Sequence, residues 1–132
     1  GYLYGIVNHG PQNAPIVCVD LKTGREMWRH EPTWEQTVQT PQGARTASLT
    51  SGLGSMLLAD GRCLLLGYYG HLVWLDLNPK AYRELDRALL FLASETWTPP
   101  ALSRGLLYVC QNSRGYDGTK ERLICYDLRG GK

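Results

Sequence analysis

Four cysteines, three histidines and 12 acidic side chains are the groups through which this 132-residue chain could do chemistry. Cys18, Cys63, Cys110 and Cys125 make no C-x-x-C pair and stand beside no histidine cluster, so zinc-type and thioredoxin-type spacings are missing. They read as buried thiols acting as small hydrophobes. An even count could also pair as disulfides in an exported protein, although the chain is long enough to build a core without them. His9, His30 and His71 fall in unrelated parts of the sequence and read as surface or edge residues. No G-x-S-x-G elbow, P-loop or dinucleotide-binding glycine fingerprint occurs, and Gly52-Leu53-Gly54 alone is too short to be one. These patterns predict no catalytic residue, no bound cofactor and no metal ligand.

The aspartates are more informative because they recur. Asp20, Asp76 and Asp127 each end an apolar run and precede a leucine: Ile16-Val17-Cys18-Val19-Asp20-Leu21, Leu72-Val73-Trp74-Leu75-Asp76-Leu77 and Leu123-Ile124-Cys125-Tyr126-Asp127-Leu128. They are 56 and 51 positions apart, a period at which internal repeats signal propellers or solenoids. A lone aspartate could serve as a general base. One that recurs at a strand end reads as a turn residue, its carboxylate accepting from the following backbone amides. Around the first copy the spacing is D-x-x-x-G-x-x-x-W, in which Gly24 can adopt the left-handed conformation that closes the turn and Trp28 offers a flat face to a neighbouring unit.

The elements that hold these residues read as strands. Glycine-led apolar runs precede each Asp-Leu (Gly1 to Val7, Gly61 to Leu66, Gly105 to Cys110), and the segments 55–58 and 98–102 lie upstream of the turns Ala59-Asp60-Gly61 and Ser103-Arg104-Gly105. With Arg25 to His30 as an outer strand, each unit contains four antiparallel strands, the make-up of a propeller blade. The expected fold is all-β, a partial β-propeller of two and a half to three four-stranded antiparallel blades. Blade one covers about 1–34 and lacks strand A, blade two about 50–93, and blade three about 95–132 and lacks strand D. Residues 31–50 are an inserted inter-blade link. Asn78-Pro79 followed by Tyr82, Leu85, Leu89 and Leu92 is a local helix signal. The repeat register instead predicts a strand over 85–91, with a helical turn near 79–83.

The D-x-x-x-G-x-x-x-W spacing resembles the repeat of PQQ-type, quinoprotein-like β-propellers, the group that includes quinoprotein alcohol dehydrogenases and BamB-like proteins. Gly52 to Ser55 leading into Ala59-Asp60-Gly61-Arg62 fits that pattern, as does Thr96-Trp97-Thr98-Pro99-Pro100-Ala101-Leu102 before Gly105. The second unit departs from it, with Lys80 and Glu84 where glycine and tryptophan would stand. Cys18, Trp74 and Cys125 stand where the family often has alanine. The resemblance implies a non-catalytic protein-binding or scaffolding module, periplasmic or cell-envelope associated in a bacterium. Its alternatives are part of a PQQ- and calcium-dependent dehydrogenase, or a carbohydrate- or ligand-binding propeller. Such dehydrogenases carry adjacent cysteines beside the cofactor, and this chain has no Cys-Cys pair. Three units cannot close a ring, so the remaining blades are expected upstream or from another copy.

Composition narrows the partners. With 43% hydrophobic and 20% charged residues the chain suits a globular fold, and a net charge of +2 gives no nucleic-acid surface. No apolar run approaches the roughly 20 residues of a membrane-spanning helix. In a four-stranded blade the connections alternate between two ends, so the long segments 8–15, 31–50 and 111–121 share one end, where insertions mark a binding side. The candidate contact residues on that face are His9, Gln12, Trp34, Arg45, Tyr68, Tyr69, His71, Arg114, Tyr116 and Asp117, a mixture of aromatic and arginine side chains typical of interface hot spots.

Overall fold

A computed structural model describes residues 1–7, 10, 13–40 and 42–130. These residues form 12 strands and no helix. In chain order the strands are β1 (Tyr2–Ile6), β2 (Ile16–Asp20), β3 (Glu26–His30), β4 (Thr33–Thr40), β5 (Gly43–Thr50), β6 (Ser55–Ala59), β7 (Arg62–Leu66), β8 (His71–Asp76), β9 (Arg83–Leu89), β10 (Ala101–Ser103), β11 (Leu106–Gln111) and β12 (Arg122–Asp127). They make four antiparallel sheets: β1-β2-β3, β4-β5, β6-β7-β8-β9 and β10-β11-β12.

Turn chemistry explains the tight hairpins. Asp60 and Gly61 both have positive φ (50° and 71°), as do Arg104 and Gly105 (51° and 77°), the backbone that lets a two-residue loop follow the strand twist. The four-stranded sheet lies between two apolar layers. Cys63, Leu65, Val73 and Leu75 pack with Ile16, Ile6 and Trp28 of the first sheet. On the opposite face Leu64, Leu66 and Leu72 pack with Leu107, Val109, Ile124 and Tyr126 of the last. Successive residues of β7 and β8 therefore serve different neighbours, which is why both strands are apolar at nearly every position.

Three expectations need correction. No helical turn forms at 79–83, where residues 79–81 make a bend, and β9 begins at Arg83, two residues before the expected 85. The periodic leucines are strand residues because β8 offers a paired edge, and β9 follows it with a bulge between Trp74 and Leu75. The segment 31–50 is more than a link, since β4 and β5 pair along their whole length as a hairpin. The thiols differ in burial: Cys18 and Cys63 are buried, Cys110 is half-buried and Cys125 is exposed, all of them free. Burial pushes the Cys63 thiol up to about 11.

Candidate functional site

The β4–β5 hairpin is amphipathic by alternation. Trp34, Gln36 and Val38 share one face with their partners Leu49, Ala47 and Arg45, all half-buried except the exposed Arg45, while Thr33, Glu35 and Thr37 share the other with Thr50, Ser48 and Thr46, all exposed except the half-buried Thr50. Its base is fixed to the four-stranded sheet. The Trp34 ring meets His71 edge-on with centroids 4.1 Å apart, and the Arg87 guanidinium lies 4.8 Å from the Trp34 centroid. Arg87 also donates to the Thr33 carbonyl at 3.2 Å. Backbone bonds continue the anchor, from Ser51 N–H to the Pro32 carbonyl and from Tyr68 N–H to the Ser51 carbonyl.

Beyond that base the hairpin stands away from the sheet and leaves a groove of about 230 Å³, lined by Val38, Arg45, Leu49, Tyr69, Leu92 and Tyr116. A second hollow of about 270 Å³ lies beside it, between Gln36 to Gln39, Leu89 to Leu92, Tyr116 and Asp117. Four chain segments thus meet at one end of the molecule: the hairpin, the β7–β8 loop, residues 89–92 at and after the end of β9, and the β11–β12 loop.

The β11–β12 loop is braced from below. Gln111, buried, donates to the Ser113 carbonyl and accepts from Arg122. Asn112 accepts from the Trp97 and Thr98 amides, and Ser113 donates to the Glu95 carbonyl. Tyr116 N–H bonds the Leu92 carbonyl, and Asp117 accepts from the Thr119 amide at 2.9 Å, which holds its carboxyl below the usual range. None of these polar braces stood out in the sequence, because each joins residues whose types are ordinary loop composition.

The expected contact residues divide into groups. Arg45, Tyr69 and Tyr116 line the groove, and Asp117 lines the adjoining hollow. Tyr68 lies against Tyr69 with centroids 5.4 Å apart and donates to Glu95. Arg114 is exposed outside both hollows. Trp34 is half-buried as the hairpin's anchor. His71 corrects the surface reading: it is 3% exposed, beneath Trp34, and among the described residues neither ring nitrogen has a hydrogen-bond partner. Burial, helped by the Arg87 charge, pulls its pKa down to about 4, so it is neutral at pH 7. His30 is exposed and stacks on Tyr82 at 4.0 Å. His9 and Gln12 lie outside the described residues.

The repeated aspartates sit at the opposite end of the strands. Asp20 accepts from the Lys22 and Thr23 amides, which hold its carboxyl low, and Asp127 is held low first by the Arg129 guanidinium and then by the Arg129 amide. Asp76 faces Arg83 instead, and Asn78 caps that turn by accepting from Lys80 N–H at 2.8 Å. Gly24 has φ 70°. Trp28 packs edge-on against Tyr82 and donates to the Asn78 carbonyl at 2.7 Å, joining the first sheet to the next. Trp97 is exposed.

Among the described residues no three His, Cys, Asp or Glu side chains come together that could hold a metal ion. The free, separated cysteines likewise do not fit the adjacent pair beside a PQQ site. No helix of the described residues is long and apolar enough to cross a membrane. Comparison with models of known protein families and with curated protein sequences finds no match.

Proposed function

We propose that this chain is a non-catalytic protein-binding module, part of a PQQ-like, BamB-like β-propeller at a bacterial cell envelope, and that the groove under the β4–β5 hairpin is its recognition face. The observation that carries this reading is the convergence of Arg45, Tyr69 and Tyr116 with Val38, Leu49 and Leu92 around one open groove. Aromatic and arginine anchors over an apolar floor are the groups that contribute most to protein recognition. The four-stranded sheet packed between two others supports the propeller element of the reading.

The test is site-directed photo-crosslinking in envelope extract, with the crosslinking residue in place of Tyr116 or, as a control at the other end of the strands, Lys22. A protein crosslinked from 116 and not from 22, and lost with Arg45→Ala, supports the reading. Equal labelling from both positions overturns it. Alcohol-dependent dye reduction on addition of PQQ and calcium would replace it with the dehydrogenase alternative.

A further inference from the structure

The groove and the hollow beside it meet the β4–β5 hairpin in different ways. From β4 the groove is lined by Val38 and Thr40, alternate residues, so it sees one face of the strand. The hollow of about 270 Å³ is lined by four consecutive residues, Gln36 to Gln39, which only the edge of a strand can present. That edge belongs to neither outer sheet. Across the hollow from it stand residues 89–92, Tyr116 and Asp117 of the same chain.

Among the described residues β4 pairs with β5 alone. In an antiparallel pair alternate residues exchange both backbone bonds with the partner strand, and those between turn N–H and C=O outward. Ser51 N–H donates to the Pro32 carbonyl, which places the even-numbered residues of β4 in the bonded positions. Glu35, Thr37 and Gln39 therefore present N–H and C=O to the open side, as Thr33 does where its carbonyl accepts from Arg87. The Thr37 carbonyl also accepts from the Gln36 side chain at 3.3 Å, a bond exposed to solvent.

Sheet edges are ordinarily blunted by bulges, charges or proline. Strands β3 and β9 follow that rule, each with a bulge and with the pairs Glu26–Arg29 and Glu84–Arg87 along them. β4 carries no bulge, no proline and one charge, Glu35. The β5 edge opens on a smaller hollow of about 160 Å³, walled otherwise by Tyr69. Beside β4, Leu92 and Tyr116 supply apolar surface, Asp117 lines the hollow, and Glu35 lies one place before it on the strand.

We propose that the partner enters as an extended peptide segment, apolar at alternate positions and carrying a basic residue, which adds a third strand to the outer edge of β4. The backbone groups of Glu35, Thr37 and Gln39 hold it, its apolar side chains reach Leu92 and Tyr116, and its basic residue meets Asp117. In strand addition main-chain bonds give affinity and pockets for alternate side chains give specificity. The proposal rests on the groove reading above and names the occupant.

The probe is a displayed library of random short peptides selected on the 132-residue chain. Selected peptides should share the alternating pattern and a basic residue. N-methylation of a synthetic copy at every second amide should weaken binding about ten-fold or more per site, while methylation of the intervening amides changes little. Thr37→Pro removes an outward N–H without removing a β4–β5 bond and should give the same loss, whereas Thr37→Val keeps the amide and the affinity. If Thr37→Pro does not fold, the N-methyl scan decides, since it leaves the chain unaltered. Binding lost with Tyr116→Ala but indifferent to N-methylation and to Thr37→Pro overturns strand addition and leaves the groove reading standing. A library yielding no peptide that depends on Tyr116 also overturns it, and crosslinking from position 116 then decides whether the groove reading falls too. Self-association of the chain that is lost with Thr37→Pro would give the edge to a second copy and overturn the peptide proposal.

Discussion

The indole of Trp34 closes over the imidazole of His71, ring centroids 4.1 Å apart and planes inclined at 71°, so that a residue 37 positions away in sequence seals the histidine inside the fold. This contact joins the hairpin to the four-stranded sheet and separates two kinds of aromatic residue at one end of the molecule. Trp34 supports the groove, whereas Tyr116 lines it.

Alanine at these two positions should therefore have opposite effects. Trp34→Ala removes a half-buried indole and the cation–π contact with Arg87, and should lower unfolding stability by about 2 to 3 kcal/mol in a denaturant titration. Tyr116→Ala truncates a side chain that is 52% exposed and should change stability by less than about 0.5 kcal/mol while weakening capture of the groove's protein partner in a pull-down. A larger loss at Tyr116 than at Trp34 would reverse the assignment.

Acidification should weaken the fold through His71. Its folded pKa, about 4, lies below the ordinary value of 6.5, so the unfolded chain takes up the proton first as pH falls. The stabilisation is complete above pH 6.5 and is lost progressively toward pH 4. The cost is on the order of 2 kcal/mol, because solvent screens part of the buried charge. Arg87 adds repulsion to the protonated ring. His71→Leu should flatten the melting temperature against pH over this window relative to wild type; an unchanged profile would show that other groups carry the acid response.

The repeat was legible in the sequence because Asp20, Asp76 and Asp127 mark strand ends whose apolar runs must serve two neighbouring layers. The second unit looked irregular because the turn after Asp76 is two residues longer than the turn after Asp20. Counting from the aspartate aligns Glu84 with Trp28, whereas the register pairs Trp28 with Cys18 and Asp86 with Trp74, making Asp86 the equivalent position. The hairpin was hidden for a different reason. Its inner face is filled by Gln36, Thr40 and Ala47 as well as Trp34, Val38 and Leu49, so its alternation is weak in apolar content although strong in β-forming residues. The burial of His71 depends wholly on contacts distant in sequence, which no local pattern carries.

The altered turn after Asp76 makes its own prediction. Asn78→Ala removes the acceptor for Lys80 N–H and should cost about 1 kcal/mol in chemical denaturation. Asp76→Ala loses an exposed 3.3 Å pair with Arg83 and should cost less. In the first unit the order is reversed, and Asp20→Ala should be the most damaging change in its turn, since Asp20 accepts from two amides. Equal effects at Asp20 and Asp76 would mean that the two aspartates share one role despite their different partners.

Gly70 ties the β7–β8 loop to the segment that floors the groove. Its φ is +100°, and a Cβ there would press on the Phe91 carbonyl oxygen and lie 2.6 to 2.7 Å from the Phe91 ring. Backbone on one side and a packed ring on the other leave no soft direction, so Gly70→Ala should cost about 3 kcal/mol or more from left-handed strain plus overpacking. Gly24 also has positive φ, +70°, but its Cβ would meet nothing within 4 Å, so Gly24→Ala should cost only about 1 kcal/mol. Because Gly70 accepts from Leu90 and Tyr69 accepts from Ala93, displacement at Gly70 moves Tyr69 and Leu92 together. Gly70→Ala should therefore abolish crosslinking from Tyr116 at temperatures where the chain is still folded, an effect Gly24→Ala should lack. Retained crosslinking in a folded Gly70→Ala protein would separate the groove from the loop that supports it.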